Sequence, residues 1–191
     1  MEKKKKEIII KAAQELFGRF GFLKTTVQEI ASAARIGKAT IYYYFKGKEE
    51  IFKEVIEKES KILDEKIKET IGKEETPQEK LKAFVLARMK YFNELANIYT
   101  ALRDEFLTHY AFIEKTREKY LNREIEIVKK ILKEGIGQGA FVIHDLKLTS
   151  YAIISALKGL EYQWSINAPL PEVERNTSKL IEILFNGIVK R

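Results

Sequence analysis

Residues 25 to 48 read Thr-Thr-Val-Gln-Glu-Ile-Ala-Ser-Ala-Ala-Arg-Ile-Gly-Lys-Ala-Thr-Ile-Tyr-Tyr-Tyr-Phe-Lys-Gly-Lys, and no other stretch constrains the fold as much. Val27, Ile30, Ala31 and Ala34 recur at helical spacing behind Thr25 and Thr26, either of which suits an N-cap. Arg35-Ile36-Gly37 is a tight break. A second short helix follows from Lys38 to Tyr44, with Ile41 and Phe45 one turn apart as its inward anchor. Three consecutive tyrosines cannot all hide behind so narrow an anchor. The rows Lys38/Tyr42, Ala39/Tyr43 and Thr40/Tyr44 are left facing outward. Phenol hydroxyls, lysine and threonine are phosphate-contacting groups, and tyrosine rings can pack on sugars and thymine methyls. The pattern predicts a helix-turn-helix reading the major groove of double-stranded DNA. For any single tyrosine, a buried aromatic cluster is the competing account.

The charge distribution points the same way. The chain carries a net charge of +7 over 191 residues. Residues 1–48 hold 11 Lys or Arg and 4 Asp or Glu, while the remainder holds 24 of each, so the whole excess lies in the first quarter. A basic module on a neutral body suits a phosphate-backbone binder. Lys3 to Lys6 supply four of these charges and can be read simply as a solvated terminus; the asymmetry weakens without them but survives.

Hydrophobic residues make up 45%, with only three prolines, which favours an all-helical protein with an ample core. Apolar spacing predicts helices over about 4–20, 25–34, 38–44, 47–71, 77–96, 97–107, 110–136, 145–167 and 171–189. Gly21 terminates the first, Pro77 opens the fifth, Asp145 caps the eighth, and Gly135, Gly137 and Gly139 read as a flexible break. The organisation is a three-helix head over 1–47 and a larger helical body over 48–191, about nine helices in all. The absence of cysteine excludes disulfides and thiolate metal sites and fits a reducing cytoplasm. Uncharged runs such as Leu148 to Leu157 are half the roughly 20 residues needed to cross a bilayer, so no membrane role is expected.

Taken together, these residues resemble the TetR/AcrR family of transcriptional regulators. The resemblance covers roughly Ile8 to Phe52: Ala12-Ala13-x-x-Leu16-Phe17, Gly21-Phe22, Thr25-Thr26-Val27, Ile30-Ala31, Thr40-Ile41-Tyr42-Tyr43-Tyr44-Phe45 and Lys48-Glu49-Glu50. It implies an all-helical homodimer in which each head reads half of a palindromic operator, and a small molecule bound in the body releases the DNA. It further implies that Thr25 or Thr26 touches phosphate, that Lys38, Thr40, Tyr42 and Tyr43 face the groove, and that Tyr44 and Lys48 grip the flanking backbone. Two positions depart from the family pattern. Arg35 stands where glycine is usual and adds a potential phosphate contact. Gly37 stands where serine is frequent, leaving the third helix without a side-chain cap.

The body is dense in large apolar and aromatic residues, and for each one an ordinary core is the simpler account. With the resemblance, they outline an apolar cavity for a small apolar or amphipathic effector, possible lining residues being Phe84, Met89, Phe92, Tyr99, Phe106, Tyr110, Tyr162 and Trp164. Arg103 would either meet an anionic head group there or serve as a surface ion-pair partner. The run from Leu102 through Gly139 resembles fatty-acyl-CoA-responsive members. The last two helices offer Tyr151, Ile154, Ser155, Leu157, Lys158 and Gly159, and Leu180, Ile181, Ile183, Leu184, Ile188 and Val189, as a homodimer face. No nucleophile–base pair, phosphate-cradling glycine loop or metal-ligand cluster stands out, so neither an enzyme nor a cofactor is expected. The remaining alternative is an architectural DNA-binding protein without an effector.

Overall fold

The computed structural model describes residues 2–94, 110–167 and 169–188. Their regular structure is helical: α1 Glu2–Phe20, α2 Val27–Ala33, α3 Lys38–Tyr44, α4 Lys48–Ile71, α5 Pro77–Glu94, α6 Tyr110–Gly137, α7 Leu146–Asn167 and α8 Leu170–Ile188. The all-helical expectation holds. The short helix expected over about 97–107 lies outside the described residues. The chain divides into two compact units, Met1–Lys61 with Leu95–Arg117 and Ile62–Glu94 with Glu118–Arg191.

In the first unit, Ile9, Ala13 and Phe17 of α1 are buried together with Ile30 and Ala31 of α2, Ile41 of α3, and Ile51, Phe52, Val55 and Ile56 of α4. Gly21 adopts a positive φ of 83°, and its N–H donates to Phe17 O at 2.9 Å. The reversed chain returns Phe22 onto Phe17 and Phe52, with ring centroids 5.7 and 4.9 Å away; Phe17 and Phe52 meet edge-on at 5.4 Å. Each fully buried ring of this kind contributes about 1.5–3 kcal/mol. Polar ties join α1 to α4 at its rim: Lys6 to Glu54 at 2.7 Å, Gln14 Nε2 to Glu59 at 2.9 Å, and Lys58 Nζ to Gln14 Oε1 at 2.7 Å.

Helix α2 starts with a capping box. Glu29 N–H donates to Thr26 Oγ1 at 3.2 Å, and Thr26 N–H donates to Glu29 Oε2 at 2.7 Å. The same carboxylate accepts the Thr26 hydroxyl at 2.8 Å. These bonds hold the Glu29 carboxyl below its ordinary value of 4.5. Helix α2 ends in a Schellman motif: Arg35 N–H donates to Ser32 O at 3.1 Å and Ile36 N–H to Ala31 O at 3.0 Å. That motif requires a left-handed residue, and Arg35 takes it with φ 55°, the single positive-φ non-glycine among the described residues.

The second unit packs α5 chiefly on α8 and secondarily on α7. Thr76 and Glu79 repeat the capping box before α5, with Pro77 at its first position. Asp145 caps α7, its Oδ1 accepting from Leu148 N–H at 2.9 Å. The expected break at Gly135, Gly137 and Gly139 needs correction. Helix α6 runs on through Gly135 and Gly137 and ends at a second Schellman turn, with Gly139 at φ 70° and Ala140 N–H donating to Gly135 O at 2.8 Å. The Phe141 ring lies across Gly135, in the space a Cβ would take. Deep in this unit Arg88 Nε donates to Glu124 Oε2 at 2.9 Å, with both side chains buried.

Candidate nucleic-acid interface

The Schellman turn after α2 delivers the chain into α3, whose N-cap Gly37 is extended and makes no side-chain cap bond. Ile41 and Phe45 are buried, so the opposite faces of α3 are necessarily outward. Tyr42 is 51% exposed and Tyr43 72% exposed. Lys38 is exposed beside them, its Nζ 6.0 Å from the Tyr42 ring centroid. Thr40 and Tyr44 are half-buried, and the Tyr44 ring supports Tyr43 edge-on at 4.9 Å. The Tyr43 hydroxyl donates to Glu2 Oε1 at 3.0 Å. That bond, and then the negative charge of Glu2, pushes the phenol above its ordinary value of 10.0.

The other expected contacts separate. Thr25 is 2% exposed, and its hydroxyl donates to Gly21 O at 2.8 Å, so that hydroxyl anchors the α1–α2 turn. Thr26 is exposed and caps α2. Arg35 is exposed at the turn. Lys48 is half-buried; its Nζ donates to Phe22 O at 2.6 Å and Leu23 O at 3.2 Å and lies 4.4 Å from the Phe22 ring centroid. It staples the α1–α2 turn to the start of α4, leaving at most one proton for a phosphate. No local pattern marks Glu2 as part of this surface, because the first six residues read as a solvated tail and its tyrosine partner is 41 positions away.

In the body, Phe84 and Met89 lie buried on α5. Tyr110 begins α6, but its side chain, like those of Phe92, Tyr162 and Trp164, lies outside what the structure describes, as do residues Tyr99, Arg103 and Phe106. A surface cavity of about 500 Å³ opens between α6 and α7 among Ile125, Lys129, Leu148 and Tyr151. On the last two helices Ile154, Leu157 and Ile181 face their own core, whereas Leu148, Tyr151 and Ile183 are exposed, the last at 70%. No helix among the described residues is long and apolar enough to cross a membrane.

An all-helical chain that presents a lysine- and tyrosine-faced second helix in a helix-turn-helix belongs to the class of DNA-reading regulators. The family described as bacterial regulatory proteins, tetR family, matches residues 9–55, and the QacR-like protein C-terminal region matches residues 58–190. This chain belongs to the TetR family of transcriptional regulators and is not an enzyme. It is 28% identical over 190 residues to the HTH-type transcriptional regulator QacR of Staphylococcus aureus (strain Mu50 / ATCC 700699), covering 97% of this chain and 98% of that protein. It is 29% identical over 188 residues to the fatty acid metabolism regulator protein of Bacillus subtilis (strain 168), covering 94% and 93%. A solved transcriptional regulator from Cytophaga hutchinsonii ATCC 33406 superposes with a TM-score of 0.78 at 29% identity, covering 96% of this chain and 98% of that one. The fold is also that of FadR from Bacillus subtilis, solved with stearoyl-CoA, with a TM-score of 0.74 at 24% identity over 92% and 96% of the two chains.

Proposed function

We propose that this protein represses transcription by binding a palindromic operator as a homodimer, and that a small, mostly apolar effector of the fatty-acyl type releases it. The observation that carries the reading is the exposed row of Lys38, Tyr42 and Tyr43 on α3. The Lys38 ammonium and the rings of Tyr42 and Tyr43 face the major groove, with Thr40 beside them; Arg35, Tyr44, Lys48 and the backbone at Thr26 hold the flanking phosphates. The head comprises 1–47 and the body 48–191. Two copies join through α7 and α8, where Tyr151 and Ile183 are exposed, and their two-fold axis matches the palindrome. The effector class is supported by the names of the relatives, a fatty acid metabolism regulator and a FadR solved with stearoyl-CoA. Phe84 and Met89 are its candidate contacts on α5. An effector that prefers the DNA-free conformation weakens operator binding by that same preference. The protein acts in the cytoplasm, where the DNA is.

The test begins with duplexes selected by the protein from a randomised pool. Affinity should fall steeply with salt, about 0.9 in log–log slope for each phosphate contacted, and stearoyl-CoA should weaken it. A flat salt response would reject the DNA reading. Sequence-selective binding unmoved by acyl-CoA of any chain length would reduce the protein to an effector-independent DNA binder.

A further inference from the structure

We infer that the first turn of α1 is a third element of the DNA interface, in which Lys5 and Lys3 meet phosphates beside Tyr43 while Glu2 holds the Tyr43 hydroxyl in the free protein. The inference rests on the DNA-reading role of α3 proposed above. The lysine run by itself reads as a solvated tail; its placement says otherwise. Helix α1 extends to Glu2, so Glu2 and Lys6 stand one turn apart on one face. Lys6 Nζ pairs with Glu54 Oε1 at 2.7 Å and lies 5.4 Å from the Phe45 ring centroid at the end of α3. Glu2 Oε1 accepts the hydroxyl of Tyr43, the most exposed tyrosine of α3, at 3.0 Å. That face is thereby fixed against the groove-reading helix.

Helical geometry then sorts the three intervening lysines, all of them exposed. At about 100° per residue, Lys5 falls roughly 60° to one side of Glu2 and Lys3 roughly 100° to the other, while Lys4 points away from both Glu2 and Lys6. Lys5 and Lys3 therefore flank the Tyr43 hydroxyl within a single turn. The Glu2 carboxylate occupies the position on that hydroxyl that a phosphate oxygen would take, and it carries the same sign of charge. Docking exchanges one anion for the other: Tyr43 passes from Glu2 to the phosphate, and Lys3 and Lys5 neutralise the phosphates alongside.

The experiment is the salt dependence of binding by full-length protein to a duplex that the wild-type protein has selected from a randomised pool. Lysine-to-alanine changes on the exposed side of a helix keep helix propensity, so folding is preserved and dimer content is checked by sedimentation. Lys5→Ala should lower the log–log salt slope by about 0.9 and Lys3→Ala by a similar amount, whereas Lys4→Ala should leave it unchanged. Glu2→Gln should tighten binding by about two- to fivefold, because a like charge beside phosphate is removed. Equal slopes for Lys5→Ala and Lys4→Ala, or unchanged affinity for Glu2→Gln, would overturn the proposal while wild-type binding leaves the α3 reading standing. A wild-type protein that selects no duplex would overturn both.

Discussion

Replacing Arg35 with glycine should stabilise the protein and weaken its hold on DNA at the same time. Arg35 occupies the left-handed position of the Schellman turn with φ 55°. A Cβ in that conformation costs about 1–2 kcal/mol. Glycine removes that strain but returns about 0.4–1 kcal/mol through the freedom of its unfolded chain. The net gain is about 0.5–1 kcal/mol. The turn's own bonds, Arg35 N–H to Ser32 O and Ile36 N–H to Ala31 O, are backbone bonds and survive the change. For a chain of 191 residues, the gain appears as a rise of about 1–4 °C in Tm, read at matched protein concentration. The control is Arg35→Ala, which removes the same charge and keeps the strained Cβ. Glycine should exceed alanine in stability by that same margin of about 0.5–1 kcal/mol, while both variants lose about 0.9 from the salt slope of DNA binding. Equal stability of the two variants would refute the strain argument. A wild-type salt slope no steeper than theirs would refute the phosphate contact.

Other substitutions probe the body and the caps. Gly135→Ala should destabilise by about 1–3 kcal/mol, against the usual helix preference for alanine, because the new methyl meets the Phe141 ring; Gly137→Ala, with open space around it, should be neutral or mildly stabilising. Urea titrations that rank the two alike would contradict this packing. Arg88→Met should cost about 3–5 kcal/mol by stripping a guanidinium from the buried Glu124 carboxylate, and Arg88→Met combined with Glu124→Gln should recover most of the loss. Thr26→Ala should cost about 1 kcal/mol near neutral pH. Since the folded Glu29 carboxyl sits below 4.5, the capping box contributes fully above that pH and fades as pH falls through the lower folded value. The stability gap between wild type and Glu29→Gln should therefore close on acidification; a gap that widens would reverse the assignment.

The parts of the molecule legible in the sequence were those governed by local rules. The stripe of Ile9, Ala13 and Phe17, the stop at Gly21, the cap at Asp145 and the bounds of α3 all follow from spacing and terminal chemistry within a turn or two. At Arg35 the sequence showed only a departure from the glycine usual there; the Schellman bonds that require a left-handed φ at that position are seen in the structure. What escaped depends on pairing across the fold. The Arg88–Glu124 contact joins residues 36 positions apart, and Lys48 folds back on carbonyls 25 and 26 positions earlier. No local pattern distinguishes such a lysine from one that reaches for DNA. Helices α7 and α8 carry apolar residues on more than one face, so only the structure separates Ile154, Leu157 and Ile181, which are buried, from Tyr151 and Ile183, which are exposed.

The central claim is that α3 reads DNA through its exposed tyrosines. The most direct measurement is equilibrium binding of wild type and Tyr42→Ala to the duplex the wild-type protein selects, with sedimentation of both. Tyr42 is half exposed, so the variant should fold and dimerise as wild type does. Its affinity should fall at least about tenfold, the cost of losing one groove contact. Wild-type affinity retained by a properly folded Tyr42→Ala dimer would contradict the account.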